Sequence, residues 1–546
     1  MTARIVIVGY GMAGARLAAE LHAREGDHRV TVLGAEPHRA YNRIMLSTLL
    51  AGRIDEPDLE LVEAVGPGVD VRTGAPVTAI DRTAREVRTA DGVGHGYDHL
   101  VLATGSRSVV PPLPGLDPLP DRVVPFRTLA DCRRILAAAR DARHAVVLGG
   151  GLLGLEAARG LAARGLAVTV VHPVGHLMER QLDPPAGAVL ADTLAALGVR
   201  VRLGVAATGV TADADGVRLH LGDAGPLAAD LLVLCCGVRP DTALAAAAGL
   251  AVDRGVVVDD RMRTDDRRIS AIGDCAQHDG TPTGLVAPAW AQARVVADLL
   301  AGDDPLVRYR PRPVVTRLKA AGIDLAAMGD LAGDPAGGAP VEELTFTDPT
   351  RGTYARLRIR DERLTGAILL GDNPAVGTVV QLFDRGAPVP TDRRSLLLGR
   401  AFGAAPAEPA ASPALMPDAA VVCRCNNVSK GALVACWRAG ARSVTALSAA
   451  TRAATGCGGC RDAVAGIAGW LAGADPPGPD PAPAGAAGHR DHGPADPDGD
   501  GTAHARDQAG DGTGSPRARG ADGGGPGPDG RRRNTVTDRE TVEATR

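Results

Sequence analysis

The sequence predicts a multidomain α/β chain: two doubly wound domains in tandem, a small α+β domain, a small helical cysteine module and a disordered C-terminal tail. Three observations carry this expectation. Two glycine-rich turns, Gly9-Tyr-Gly11-Met-Ala-Gly14 and Gly149-Gly-Gly151-Leu-Leu-Gly154, each follow an apolar strand and open a helix. Cys423-Arg-Cys425 and Cys457-Gly-Gly-Cys460 gather four thiols late in the chain. After Ala474, Gly, Pro, Asp, Ala and Arg dominate, and such a segment cannot offset its own ordering entropy.

At 546 residues the chain is expected to form three or four domains of roughly 150 residues. Aromatic residues are only 2%, but apolar residues reach 45%, so cores must be built from Ala, Val and Leu. The aromatic shortage argues against a base-stacking nucleic-acid binder, and a net charge of -4 leaves no footprint for a polyanion. No uninterrupted apolar run of about 18 residues occurs, so no membrane span is expected. The first residues enter an apolar strand at once, leaving no room for a secretory signal. The predicted location is cytoplasmic, where nine cysteines are expected as ligands or inert core thiols rather than disulfides.

The first element set reads strand Arg4–Val8, helix Met12–Arg24 and strand Arg29–Leu33. In its glycine turn the first glycine permits the tight bend, the second lets backbone approach a pyrophosphate, and the third lets helix pack on strand. Glu36, 22 residues after Gly14, is placed to accept ribose hydroxyls. A buried-type strand, Leu100–Ala103, runs into Thr104-Gly105, and Pro111–Gly115 looks like a linker. The pattern returns at His144–Leu148, Leu152–Arg164 and Ala167–Val171, with further strands ending at Cys236-Gly237 and Gly273-Asp274. This gives one Rossmann-like domain over 1–115 and 250–305 and a second over 116–249. At the end of the second domain's second strand stands His172, where a carboxylate would hold the 2′-hydroxyl of NADH. His172 either caps the strand or, protonated, tolerates a 2′-phosphate, so NADH and NADPH both stay open.

The small α+β domain is expected over 308–403, with strands Tyr354–Arg360 and Gly366–Leu370 and a helix near Thr378–Arg385. A linker follows over 404–418. The cysteine module spans 420–473, with helices Lys430–Ala439 and Arg461–Leu471, and the tail covers 474–546. Its C-x-C and C-x-x-C pairs, 31 residues apart, suit a two-iron cluster or one zinc; spacing alone does not decide. Two nucleotide sites upstream imply electron transfer and favour 2Fe-2S. Cys436, between the pairs, is expected in the core. Cys132, Cys235, Cys236 and Cys275 lack the spacing of a redox pair, and Cys235-Cys236 in the run after Leu231 are expected to be inert and to face opposite sides. The tail's Asp496–Asp507 stretch imitates a calcium loop without flanking helices and is read as a chance match.

With the Ala103-Thr104-Gly105, Gly237-Val-Arg-Pro240 and Gly273-Asp274 turns, the chain resembles the two-dinucleotide-binding flavoproteins that include pyridine nucleotide-disulfide and rubredoxin reductases. The resemblance implies FAD at Gly9, Gly11, Gly14, Glu36, Thr104 and Asp274, and NAD(P)H at Gly149, Gly151, Gly154, His172 and Gly237. It makes Glu156 the residue that orients the nicotinamide edge. Arg43, Arg127 and Pro288 would lie along the FAD, or else serve ordinary surface and turn roles. Val422-Cys423-Arg-Cys425-Asn and Thr455-Gly-Cys457-Gly-Gly-Cys460 are similar to the bacterioferritin-associated ferredoxin domain, which implies a 2Fe-2S cluster on those four cysteines.

In domain order the chain resembles the N-terminal half of NAD(P)H nitrite reductase large subunits and the electron-transfer subunit of assimilatory nitrate reductase. That implies an NAD(P)H-dependent FAD/2Fe-2S oxidoreductase feeding a separate terminal reductase in nitrate or nitrite assimilation. Full nitrite reductases need four further cysteines for a sirohaem-coupled cluster, and none follows Cys460, so reduction of nitrite or sulfite by this sequence alone is not expected. The alternatives are a ferredoxin or rubredoxin reductase serving an oxygenase, and a non-catalytic redox sensor.

Overall fold

The computed structural model describes residues 2–24, 26–61, 66, 68–214, 216–331, 340–398, 413–423, 426, 428–455 and 459–475. Cys425, Cys457 and the tail from 476, with its calcium-loop imitation, lie outside the described residues.

Two five-stranded parallel sheets organise the first three hundred residues. The first runs in the order Ile269–Ala271, His99–Leu102, Ala3–Val8, His28–Leu33, Val69–Arg72. Ile5, Val6, Ile7 and Val8 are all buried, because a parallel sheet is covered on both faces and its strands read as continuous apolar runs. The helices Met12–Ala23 and Val286–Ala301 pack together on it. The second sheet runs Val199–Leu203, Ala167–His172, His144–Leu148, Leu231–Leu234, Val123–Pro125. Val8 lies opposite Leu33 and Leu102, and Leu148 opposite Val171 and Leu234, so each glycine turn leaves its sheet at the carboxyl edge where such folds bind ligands.

At the opposite edge the two sheets repeat a second device. Asp98 accepts from the Arg4 backbone N–H at 2.9 Å and from its guanidinium at 3.1 Å; Asp230 accepts from the Arg143 and His144 N–H groups, both at 2.8 Å. Bonds from Arg4 hold the Asp98 carboxyl down at about 2, and the backbone bonds of His144 and Arg143 lower that of Asp230. An antiparallel ribbon of Ser106–Ser108 and Val238–Pro240 marks where the chain crosses between sheets.

Each sheet also carries a three-stranded antiparallel meander that the sequence reading did not anticipate: Val77–Asp81, Glu86–Thr89, Gly94–Gly96 in the first, and Gly209–Asp213, Gly216–His220, Pro226–Ala229 in the second. Short, half-exposed strands bounded by Asp and Gly offer little periodicity to read.

Among its described residues the third domain forms an antiparallel sheet of five strands, in the order Val315–Arg317, Leu325–Gly329, Arg363–Leu370, Thr353–Arg360, Glu342–Asp348. Alternation splits its strands between two cores. Ala326, Met328 and Leu369 face the helix Val376–Arg385, while Leu325, Ala327, Ile368 and Leu370 pack on the second nucleotide domain.

Among its described residues the cysteine module has three helices, Lys430–Arg438, Val444–Thr451 and Arg461–Ala474, around Leu433, Trp437, Leu447, Val464 and Ile467. The middle helix was not expected; its eight residues bury only Leu447, and its start is fixed by Ser443 accepting from Ala446 N. Cys436 packs against this core as expected. Met416 packs there too, and Lys430 Nζ donates to its carbonyl at 2.7 Å, so the module begins inside the stretch read as linker. No described helix is long and apolar enough to cross a membrane.

Candidate functional site

The two glycine turns show the same division of labour. A Cβ at Gly9 (φ +114°) would lie 2.1 Å from the Ala103 carbonyl oxygen, and one at Gly14 only 1.9 Å from that of Gly9. The counterparts are 2.2 Å from the Cys235 carbonyl at Gly149 (φ +122°) and 2.0 Å from the Gly149 carbonyl at Gly154. Gly11 and Gly151 meet nothing within 4 Å. Packing therefore demands the first and third glycines, while the middle one leaves open space before the helix N-terminus, where backbone N–H groups and the helix dipole favour a phosphate. Both cradles fit the pyrophosphate of a dinucleotide such as FAD or NAD(P)H.

Above the first turn, Glu36, Arg43, Thr104, Arg127 and Asp274 line one cleft with Gly9 and Gly11. Arg43 sits on a single 3-10 turn, Arg43–Met45, whose Ile44 N–H is capped by the Asn42 side-chain oxygen at 3.2 Å. It donates to Glu36 Oε1 at 2.6 Å and to the Arg127 carbonyl at 3.0 Å. Tyr41 donates to Glu36 Oε2 at 2.8 Å. Burial raises the Tyr41 phenol, helped by Glu36, so it stays a neutral donor. Arg127 in turn donates to Asp274 at 2.6 Å and to Ser106 Oγ at 2.7 Å, and Ser106 donates to Asp274 at 2.8 Å. Thr104 Oγ1 donates to the Asp241 carbonyl at 2.6 Å. Pro288 stands in the first turn of Val286–Ala301, where the cleft lining comes from Leu285, Val286 and Ala289.

The helix Leu152–Ala163 reaches from the second domain into the same cleft, presenting Leu152, Leu153 and Glu156. Glu156 is only 5% exposed, and its charge is met by residues the sequence reading missed. Lys319 of the third domain donates from Nζ to Oε2 at 2.9 Å and from its backbone N–H to Oε1 at 3.2 Å. Ser47 Oγ donates to Oε2 at 2.5 Å, and Lys319 Nζ also donates to the Ile44 carbonyl at 2.8 Å. The signal for Lys319 was compositional. Of 60 basic residues only Lys319 and Lys430 are lysine, and both side chains are largely enclosed, 11% and 6% accessible. A chain that otherwise uses arginine keeps lysine where a compact charge with three donors is needed.

At the second turn, His172 is buried and accepts the Gly150 N–H on Nδ1 at 3.1 Å, while Nε2 lies 3.0 Å from Glu179. Gly237 (φ +95°) stands at the crossing ribbon, its carbonyl accepting from Val109 N at 2.9 Å, and it does not line the first cleft. The strand before it ends at Leu234, so Cys235 and Cys236 follow the strand rather than lie within it. They still face opposite cores. Burial pushes the Cys236 thiol up to about 11 and Cys132 to about 12, and raises Cys235 and Cys275 as well, which leaves these thiols protonated and unreactive.

In the cysteine module, Cys423 and Cys460 are buried in one core, and the Ala454 N–H points at Cys460 Sγ at 3.2 Å. Among the described residues no three ligand side chains converge, since Cys425 and Cys457 lie outside them. The two described thiols, in an apolar core with an N–H on sulfur, fit the thiolate set of an iron-sulfur cluster. Asn426 ties the module together and to the turn that carries Arg43. Its Nδ2 donates to the Arg452 carbonyl at 2.6 Å and to Thr455 Oγ1 at 3.3 Å, and its Oδ1 accepts from Asn42 at 2.8 Å. Ile44 packs on the module's core, and a Cβ at Gly459 would lie 2.8 Å from Nε of Arg317, which itself lines the cleft.

Residues 3–293 match the pyridine nucleotide-disulphide oxidoreductase family, 314–385 the rubredoxin NAD+ reductase C-terminal domain, and 421–469 the BFD-like [2Fe-2S] binding domain. The nitrite reductase [NAD(P)H] large subunit of Klebsiella oxytoca is 37% identical over 84% of this chain and 48% of its own length. The assimilatory nitrate reductase electron transfer subunit of Bacillus subtilis (strain 168) is 33% identical over 84% of this chain and 59% of its own. The chain thus spans about half the length of these curated relatives. Among solved structures, the ferredoxin reductase for the CYP199A2 system from Rhodopseudomonas palustris superposes with a TM-score of 0.60 at 30% identity, covering 67% of this chain and 91% of that one. The chain belongs to the pyridine nucleotide-disulphide oxidoreductase family, as an FAD-dependent NAD(P)H oxidoreductase carrying a BFD-like [2Fe-2S] binding domain.

Proposed function

We propose that this chain draws electrons from NAD(P)H and delivers them, by way of its cysteine module, to a separate terminal reductase of nitrate- or nitrite-reducing type. The observation that carries the reading is the seating of the module on the rim of the first cleft, with Asn426 on Asn42, and Arg317 shared between the cleft and Gly459. Bound FAD supplies two-electron hydride acceptance and a [2Fe-2S] cluster one-electron storage, a pairing that splits one hydride into two single deliveries.

The chain's own residues bind, orient and exclude water. Glu36, held by Arg43 and Tyr41, keeps lone pairs for ribose hydroxyls. Arg127 and Asp274 fix the far side of the cleft. Leu152 and Leu153 close it with apolar surface. Glu156 and Lys319 place a compensated charge pair at its wall, and the lysine ammonium carries a third donor beyond those given to Glu156 and Ile44. The names of the two enzyme relatives support a nitrogen-oxyanion reductase as recipient. The likeness to a ferredoxin reductase supports a second reading, in which a small ferredoxin takes the electrons.

The test is an anaerobic titration with NADH and then NADPH, following flavin absorbance and the electron paramagnetic resonance of the reduced cluster, with each candidate acceptor offered afterwards. Flavin bleaching and cluster signal should appear in one titration, and a nitrate reductase catalytic subunit should turn over faster than ferredoxin. Full transfer to a protein acceptor by Cys457→Ser would remove the module from the path.

A further inference from the structure

We propose that Glu179, held in place by His172, is the residue that selects NADH over NADPH at the second glycine turn; this rests on the reading that the turn takes a nicotinamide dinucleotide. In doubly wound folds an acidic side chain at the end of the second strand accepts the ribose 2′-hydroxyl. Here that place is filled by a histidine, yet a carboxylate is brought to it from seven residues further along the chain.

The interlock is tight. The Met178 N–H donates to the Gly150 carbonyl at 3.0 Å, with Met178 at φ +53°, so the segment after the strand folds back over the turn. A Cβ at Gly150 would lie 2.7 Å from His172 Cγ and 2.8 Å from Leu177 Cδ2, so no other residue fits between them. Because Nδ1 of His172 accepts the Gly150 N–H, the ring proton sits on Nε2 and is donated to Glu179 Oε2 at 3.0 Å. The histidine is 7% accessible, but the Glu179 side chain is 34% accessible and keeps lone pairs to offer a ligand.

Charge then decides the ligand. Glu36 at the first turn is neutralised by Arg43, whereas the partner of Glu179 is an imidazole that serves as acceptor and donor at once. Glu179 therefore keeps its negative charge beside the ribose, accepting a hydroxyl and repelling a 2′-phosphate. Arg180, the exposed next residue, is the rival determinant, since an arginine is suited to that phosphate.

The experiment measures dissociation constants of ADP-ribose and 2′-phospho-ADP-ribose on the full, flavin- and cluster-loaded chain by calorimetry, beside kcat/KM for NADH and NADPH. The parent chain should bind ADP-ribose at least about tenfold more tightly, the scale of one charged hydrogen bond. Glu179→Gln should shrink that ratio about tenfold, with most of the change in the phosphorylated fragment, and Arg180→Gln should leave a preference for ADP-ribose intact. Equal binding by the parent chain, an unchanged ratio in Glu179→Gln, or a ratio set by Arg180 overturns the inference. If neither fragment binds while flavin and cluster are retained, the nicotinamide reading of the second turn fails instead.

Discussion

At Gly9 and at Gly149 the backbone performs the same turn, with forbidden Cβ positions that agree to about 0.1 Å, and at Asp98 and Asp230 the strand starts are pinned by the same kind of carboxylate. What surrounds the turns is different. Glu36 reaches the first from three residues past its strand and is met by a cation, whereas His172 stands directly at the end of the second and hands its position on to Glu179. Packing two chain segments at van der Waals distance admits few solutions, so the scaffold repeats. Recognition is supplied by side chains arriving from elsewhere, and it diverges.

The largest effects should fall on the repeated part. Gly14→Ala and Gly154→Ala each force a methyl to within about 2 Å of a carbonyl oxygen, and each should cost on the order of 4 kcal/mol or more. Gly14→Ala should lose FAD, while Gly154→Ala should keep a yellow protein that no longer binds nicotinamide nucleotide; equal loss of FAD in both would mean the turns do not act separately. Gly11→Ala meets nothing in the protein and should change FAD affinity with little change in urea stability.

Next comes the charge pair between domains. Lys319→Met strands a buried carboxylate and should cost roughly 3–5 kcal/mol in chemical denaturation, whereas Lys319→Met with Glu156→Gln should recover most of it. Failure of the double variant to recover would show that Lys319 contributes chiefly through Ile44. Arg317→Gln should leave stability near the parent value and lower the cluster's reduction potential in a spectroscopic redox titration, because a cation beside Gly459 favours the reduced, more negative state.

The smallest effects belong to the aspartates under the sheets. The Asp98 carboxyl lies near 2 in the folded chain against an ordinary 3.8, so its contribution is present above about pH 4 and disappears as pH falls toward 2. Its side chain is 39% exposed, so Asp98→Asn should cost under about 1 kcal/mol at pH 7 and nothing measurable at pH 2. Asp230→Asn should behave alike in pH-dependent thermal melts, since its depressed carboxyl carries the same sign.

This contrast also explains what could be read from sequence. Glycines whose Cβ would strike backbone leave a fixed spacing, and fully buried parallel strands such as Ile5–Val8 and Ala145–Leu148 leave unbroken apolar runs, so the strands flanking both turns are legible within a residue or two, whereas the edge strands Val69–Arg72, Val123–Pro125 and Val199–Leu203 were not read. The meanders were missed, and the further short strands of the third domain could not be named singly, because strands as short as three residues, or as exposed as Glu342–Asp348, carry little pattern. Glu156 was singled out only through the family resemblance, not by its spacing. Its partner Lys319 is 163 residues away and was missed; only the scarcity of lysine in this chain could have pointed to it. Cys235 and Cys236 were expected inside a strand that ends one residue earlier; their inertness survives because burial, not strand geometry, sets their chemistry.

Three consecutive residues, Asn42, Arg43 and Ile44, are each claimed by a different part of the molecule: Asn42 by the cysteine module, Arg43 by the first cleft, and the Ile44 carbonyl by the third domain. A short 3-10 turn has little intrinsic stability, so its order is borrowed from what grips it. Stripping FAD should therefore quicken amide hydrogen exchange around Leu433 and around Leu325 together, although these residues belong to separate cores. A nucleotide lost from one domain would be felt as a shared softening of two others, which makes flavin content a gauge of the whole assembly's cohesion.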